Sequence, residues 1–148
     1  MARAVGRVKQ RSHKVVWIEK GWQPHHIGFC PSRKAWEAMC KRFHVTDPYP
    51  PDENKNADAF CSVFEHSKYT SRCSVITVNK RIDKDFQTDK HFGNALGVIL
   101  HECVHAYQDM LTGMGEKKPG SEFEAYSVQY IFLQVMRAYT KTRGKGHI

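Results

Sequence analysis

Long apolar runs are missing from this chain of 148 residues. No stretch reaches the length of about eighteen apolar residues that a membrane-spanning helix needs. Residues 1–10 carry several cations and lack the apolar core of a secretion signal. We therefore expect a protein without a membrane span or a Sec signal, either cytoplasmic or delivered by a route that needs no such signal.

Acidic residues are also scarce, with 15 Asp and Glu against 23 Lys and Arg and a net charge of +8. The cations concentrate at the two ends, so we expect one domain over residues 1–148 with basic, mobile tails at about 1–12 and 141–148. Such tails favour acidic partners, including nucleic acid. A solvated surface explains the same charge, because the tails lack interleaved aromatic residues and no nucleic-acid-binding signature is present. No pattern indicates an oligomeric state.

The five cysteines are an odd number and include no CxxC pair, which argues against a zinc ribbon. We expect reduced thiols. In an exported protein, Cys30 with Cys40 or Cys61 with Cys73 could form disulfides, leaving Cys103 alone.

The most informative motif is an HExxH sequence formed by His101, Glu102 and His105. Residues four apart lie on one face of a helix, so the two imidazoles can hold one zinc ion. The glutamate between them can reach a water on the open side of the metal and take its proton. This pattern is typical of a zinc hydrolase.

Helical periodicity surrounds the motif. Apolar residues recur at helical spacing from about Asp89 to Leu111, and Gly113 is expected to end this helix. Ser121 and Glu124 fit a capping box that begins a second helix, which we expect to reach about Tyr139. A short connection predicts antiparallel packing, which returns the acidic start of the second helix toward the metal face of the first.

HExxH followed by a helix with ExxA, here residues 122–125, resembles the gluzincin branch of zinc metallopeptidases. The small members of that branch include the HtpX-type and ImmA/IrrE-type peptidases. The resemblance covers roughly residues 73–139, and only its two motifs are specific. It implies zinc on His101, His105 and Glu122, with Glu102 as the general base.

One position departs from the pattern of the HtpX-type enzymes. They place Asp directly after the Ala, where it supports a zinc histidine, whereas this chain has Tyr126. A peptidase of this kind needs a donor for the tetrahedral oxyanion, and we assign that role to Tyr126, with Tyr107 as a candidate that is more typical of a core residue. Asp109 lies one turn beyond His105 and could orient it by accepting its other ring proton, or could be solvated.

The residues alone leave two candidates for the third ligand. Glu122 leads the ExxA pattern and shares a helix face with Ala125 and Gln129. Glu124 is equally close but has the capping role. Glu116 is a weaker rival because it lies in the connecting loop. The remaining histidines lack a partner motif, so no accessory metal site is assigned to His25, His26 or His44.

We expect an α+β, zincin-like fold in which a small antiparallel or mixed sheet packs on the HExxH helix and on a C-terminal, ligand-bearing helix. Residues 15–18 predict a first strand, and 46–57 predict a loop. Strands at 60–64 and 73–78 suit a hairpin. The second of these should form the edge of the active-site cleft, where a peptide could add as a further strand. Pro31 and Ser32 should cap a helix that buries Trp36, Met39 and Phe43.

These features together predict a zinc metalloendopeptidase that processes a limited set of proteins. A phage or mobile-element peptidase and a delivered toxin are both compatible with the chain. Two alternatives remain. One is a basic, nucleic-acid-associated protein with a zinc peptidase or a structural zinc, and the other is a catalytically silent, metal-binding interaction module.

Overall fold

The computed structural model describes residues 13–66 and 71–143. The strands in this part of the chain are β1 (Val16–Trp17), β2 (His26–Phe29), β3 (Ala59–His66) and β4 (Ser71–Val78). The helices are α1 (Arg33–Phe43), α2 (Pro50–Glu53), α3 (Lys80–Phe86), α4 (Phe92–Met114) and α5 (Ser121–Thr142). The predicted α+β class is confirmed. No helix in these two ranges combines the length and the apolar character needed to cross a membrane.

The four strands form one mixed sheet in the order β1-β2-β4-β3. β3 and β4 pair as the predicted antiparallel hairpin, from Ala59 opposite Val78 to His66 opposite Ser71. β2, which was not predicted, pairs in parallel with the other side of β4. The expectation that the strand at 73–78 forms an edge is therefore wrong, and β3 is the edge strand on that side of the sheet.

Side chains of β4 alternate between two layers, as the pleat of a strand requires. Ile76 and Val78 face a core shared with α3, α4 and α5. Val75 faces a second, smaller core built with Trp36 and Met39 of α1. The sheet is thus covered by α4 and α5 on one face and by α1 on the other.

α1 begins as predicted. Ser32 is its N-cap, and its hydroxyl accepts a hydrogen bond from the backbone N–H of Ala35 at 3.2 Å. Trp36 and Met39 are buried, whereas Phe43 is half-buried. The loop predicted over residues 46–57 contains the short helix α2, which the sequence pattern did not indicate.

Gly28 is needed where β1 pairs with β2, opposite Trp17. A Cβ atom at this position would lie 2.7 Å from Cγ1 of Val15 and 2.8 Å from Cε3 of Trp17. Carbon atoms do not approach so closely without displacement, so the absence of a side chain lets β1 pack against its neighbour.

Both long helices end later than predicted. Gly113 lies inside the last turn of α4, and the left-handed residue that ends the helix is Gly115, with φ 71°. α5 has Gly120 as its N-cap and no side-chain cap, so the predicted capping box of Ser121 with Glu124 is wrong. α5 also continues to Thr142.

The end of α5 is fastened to the rest of the fold by Arg143. Its Nε donates to Asp83 at 2.9 Å, and its Nη1 donates to the carbonyl of Pro31 at 2.9 Å. Residues 141–143 are therefore part of the fold. The remainder of the predicted tails, 1–12 and 144–148, lies outside the described residues.

All five cysteines are free thiols, as expected. Cys61 lies opposite Ile76 in the hairpin, and both side chains face α4. Cys73 is two residues from Val75 in β4, so these two side chains point to the other face of the sheet, toward α1. The alternative disulfide between Cys61 and Cys73 is wrong because the two side chains lie on opposite faces of the sheet.

Candidate metal centre

The HExxH motif lies in the middle of α4, and both of its histidines are exposed to solvent. The Nε2 atoms of His101 and His105 are 3.0 Å apart. Two nitrogens that bind one tetrahedral zinc at about 2.0–2.1 Å lie roughly 3.3 Å from each other. The pair therefore fits the donor spacing of a zinc site with only a small adjustment.

Gln108 supports His105 from the next turn of the helix. Its Oε1 lies 3.3 Å from Nδ1 of His105. An imidazole that donates its Nδ1 proton to this oxygen keeps a lone pair on Nε2, the atom that faces His101. Gln108, rather than Asp109, is therefore the residue in contact with the second ring nitrogen of His105.

Asp109 points toward the sheet instead. It accepts from Nε of Arg72 at 3.0 Å and from the hydroxyl of Ser74 at 3.1 Å, and its carboxylate lies 3.2 Å from Nε2 of His25. The interpretation that Asp109 orients His105 is wrong. These polar contacts tie α4 to β4 and to the segment before β2.

His25 completes this buried cluster, with 3% of its surface exposed. Its Nε2 lies 2.9 Å from the hydroxyl of Ser74. Burial lowers the pKa of His25, the negative charge of Asp109 opposes this effect, and the positive charge of Arg72 adds to it. The sequence did not predict the buried contacts of His25 with Ser74 and Asp109. The sequence does contain one indication that His25 is buried. It is spaced two and four residues from Ile27 and Phe29, which face the core, and residues at this spacing share one face of a strand.

Glu102 is 8% exposed and lies between the metal face and the core. Burial raises the pKa of its carboxyl, while the nearby His105 and His101 lower it. Within the described ranges its carboxylate has no hydrogen-bond partner. A buried, unpaired carboxyl beside two imidazoles is an arrangement that suits proton transfer.

A cavity of about 460 Å³ adjoins this pair of groups. His101 and Glu102 line one end of the cavity. Gly93 and Gly97, which are closer to the start of the same helix, line the rest of that wall. Ala59, the first residue of β3, lies on the opposite wall. The cavity therefore runs between α4 and the beginning of the edge strand.

The free edge of β3 lies beside this helix. β3 pairs with β4 on one side, and no other strand of the described chain pairs with its other side. Every second backbone N–H and C=O on such an edge can bond to an added strand. The free edge that we predicted on the strand at 73–78 thus lies on β3 instead.

The two candidate third ligands lie in the first turn of α5, and both are exposed. Glu122 shares a helix face with Ala125 and Gln129, which are exposed as well. Glu124 is also exposed, but it is spaced three and seven residues from the buried Ser127 and Ile131, and so lies nearer the buried side of α5 than Glu122 does. No group of three or more His, Cys, Asp or Glu side chains suited to a metal occurs among residues 13–66 and 71–143. The structure therefore brings the two histidines together but leaves the third donor apart.

The two tyrosines considered for the oxyanion differ in environment. Tyr126 is 68% exposed on α5. Tyr107 is 1% exposed, and its hydroxyl has no hydrogen-bond partner in the described part of the chain. Burial raises the pKa of Tyr107, and the negative charges of Glu124 and Glu116 raise it further. The role assigned to Tyr126 stays a prediction.

Comparisons of the chain with protein-family models, with curated proteins and with solved structures found no match. The resemblance to gluzincin peptidases therefore stays a prediction that rests on its two sequence motifs. The case for a function depends on the geometry of His101, Glu102 and His105.

Proposed function

We propose that this chain is a zinc-dependent metallopeptidase that hydrolyses peptide bonds in a limited set of protein targets. The observation that carries the proposal is the convergence of the Nε2 atoms of His101 and His105, 3.0 Å apart, beside the buried carboxyl of Glu102. Two imidazoles and a carboxyl at this spacing match the donor and base chemistry of zinc hydrolases.

His101 and His105 would hold the zinc ion through Nε2, with Gln108 fixing the ring of His105. A carboxylate from the first turn of α5 would be the third ligand, and the gluzincin resemblance favours Glu122. Bound zinc would supply a Lewis acid that polarises the scissile carbonyl and makes a water more acidic. The donor set of two imidazoles and one carboxylate is common for catalytic zinc.

Glu102 is the general base in this proposal. Its burial raises the pKa of the carboxyl, which brings the group closer to the range in which it can both accept and return a proton. The carboxylate takes the proton of the attacking water and delivers it to the leaving amine. No covalent intermediate with the protein is needed.

The edge of β3 would hold the substrate in an extended conformation. Backbone hydrogen bonds to an added strand bind a peptide without reading its sequence. The strand and the cavity beside His101 lie along the same helix, so a bound peptide would pass the proposed metal ligands. This arrangement favours protein or peptide as the substrate class.

A second candidate is a metal-binding interaction module without turnover. It is favoured by the separation of the third donor, because the described residues do not bring a carboxylate to the two imidazoles. Such a module would bind zinc with His101 and His105 and would cleave nothing.

Mapping of new N-termini in a cell lysate tests the proposal. The lysate is treated with zinc-loaded wild type, with Glu102→Gln, or with the matched control Glu37→Gln, which makes the same change on the exposed side of α1. We expect new N-termini with wild type and with the control, and their loss with Glu102→Gln at equal zinc content. Equal cleavage by Glu102→Gln would refute the role of the base, and zinc binding without any new N-terminus would favour the silent module.

A further inference from the structure

Two glycines precede the first zinc-binding histidine at four-residue intervals. Gly93, Gly97 and His101 therefore lie on one face of α4. A glycine in the interior of a helix weakens it relative to alanine, so Gly97, more than a turn into α4, calls for a reason.

Neither packing nor backbone conformation supplies that reason. A Cβ atom built on Gly93 or Gly97 would meet no atom within 4 Å. Among the described glycines, the one with positive φ is Gly115, at the end of the helix. Alanine would fit both positions without a clash with the rest of the protein.

The two glycines keep open the cavity of about 460 Å³ that leads to His101 and Glu102. Glu102 is more than nine-tenths buried, lines this cavity and has no hydrogen-bond partner in the described part of the chain. A ligand group that enters the cavity would lie against the helix backbone and next to the proposed general base. The free space and the unpaired carboxyl are thus parts of the same site.

We propose that Gly93 and Gly97 form the floor of a subsite for a large, uncharged side chain, above all an aromatic ring, of a residue next to the scissile bond. The inference rests on the proposed peptidase function and adds a substrate class to it. The flat face of an aromatic ring can contact the bare backbone at both glycines, and a small side chain would leave the cavity to water.

The charges around the cavity argue against an ionic side chain. Asp58 lines the cavity but already pairs with Arg81. A cation would therefore pair with Glu102 and hold its carboxylate away from the attacking water. An anion would be repelled by the unpaired carboxylate of Glu102. An uncharged side chain avoids both effects.

Substitution of Gly97 tests this subsite. Gly97→Leu fills the cavity, Gly97→Ala narrows it, and Gln129→Leu adds the same side chain on the exposed face of α5 as a matched control. The substrates are peptides built on a sequence that wild type cleaves, identical except for Phe, Leu, Ala or Arg on either side of the scissile bond. The measurements are kcat/KM for each peptide, zinc content and melting temperature.

We expect wild type and Gln129→Leu to prefer Phe over Ala at one of the two positions by about tenfold, because the larger side chain fills more of the cavity. Gly97→Leu should reverse that preference with zinc retained. Gly97→Ala should weaken it and should melt no lower than wild type, because the helix gains propensity without a clash. If Gly97→Leu does not fold, the preference for Phe over Ala measured with Gly97→Ala tests the subsite.

Two results would overturn the inference alone. The first is an unchanged preference for Phe over Ala in Gly97 variants that fold and bind zinc. The second is a melting temperature of Gly97→Ala below that of wild type, which would mean that the fold itself requires the glycine. Absence of any cleavage that depends on Glu102 would remove the proposed function and this subsite with it.

Discussion

Oε1 of Gln108 lies 3.3 Å from Nδ1 of His105, on the ring edge opposite the nitrogen that faces His101. Donation of the Nδ1 proton to this oxygen would leave the lone pair of the imidazole on Nε2. The contact depends on the three-residue spacing within one helix, so it is formed as soon as α4 is formed.

Gln108→Ala should therefore weaken zinc binding. Loss of such an outer partner typically costs about 10- to 100-fold in metal affinity. Gln108→Glu keeps an acceptor for Nδ1 and should bind zinc at least as tightly as wild type. Competition with a coloured chelator measures both affinities. Equal affinity of Gln108→Ala and wild type would mean that the contact does not orient the ligand.

The helix α4 and the position of both motif histidines on one of its faces were predicted correctly, because both depend on local spacing. Periodic apolar residues and a four-residue separation of His101 and His105 are enough to place both rings on one face. The β3–β4 hairpin was predicted for a similar reason, since its strands are close in sequence.

Long-range pairings were missed. β2 contains four residues with the burial pattern of a nearly covered strand, and its parallel partner β4 is more than forty residues away in the chain. Without β2, the strand at 73–78 resembled an edge. Asp109 was interpreted from its spacing to His105, but its actual partners Arg72 and Ser74 are on β4. Contacts between residues so far apart in the chain cannot be predicted from local periodicity.

Removal of either proposed zinc histidine should abolish metal binding. We expect His101→Ala and His105→Ala to lose zinc and to melt at the same temperature with and without added zinc, whereas wild type should be stabilised by it, because a ligand that binds only the folded state stabilises that state. His91→Ala is the control, since His91 is exposed just before α4. Elemental analysis and thermal unfolding provide the measurements. Undiminished zinc in both alanine variants would refute the assignment.

The buried His25 predicts a loss of stability in acid. Burial lowers its pKa below the ordinary value of 6.5, so the unfolded chain binds a proton before the folded protein does. This contribution is therefore complete above about pH 6.5 and is lost as the pH falls toward the lower pKa of the folded state. Asp109, Arg72, His26 and Lys20 are the charged or titratable neighbours that act on it.

His25→Gln should reduce this pH dependence, because an amide can still donate toward Ser74 and Asp109 but does not titrate. Urea unfolding at about pH 7.5 and about pH 5.5 should give a larger drop in unfolding free energy for wild type than for the variant. The exposed His91→Asn serves as the control and should behave as wild type. An identical drop in wild type and His25→Gln would show that another group controls the acid response.

The third zinc ligand is the point at which the sequence motif and the fold differ most. Glu122 and Glu124 are two residues apart in a helix, so they point about 200° from each other around its axis. The ExxA pattern favours Glu122, although Glu124 is the one spaced three and seven residues from the buried Ser127 and Ile131, and both carboxylates are exposed. The ExxA spacing cannot fix the rotation of α5, because that rotation depends on the loop from Gly115 to Gly120 and on core packing further along the helix.

Glu122→Ala should lower zinc affinity by more than about 100-fold, a larger loss than removal of an outer partner gives, and Glu124→Ala should retain zinc. The two variants are matched, because both remove one negative charge from the same exposed first turn of α5 and lose the same favourable interaction with the helix dipole, a few tenths to about 1 kcal/mol. Ligation by Glu122 requires this turn to rotate toward α4. Since Phe123 packs on Trp22 with ring centres 4.6 Å apart, zinc should then change the tryptophan fluorescence of wild type. Loss of zinc in Glu124→Ala with an unchanged spectrum in wild type would instead assign the ligand to Glu124 and would show that the alignment with the gluzincin pattern is displaced by two residues.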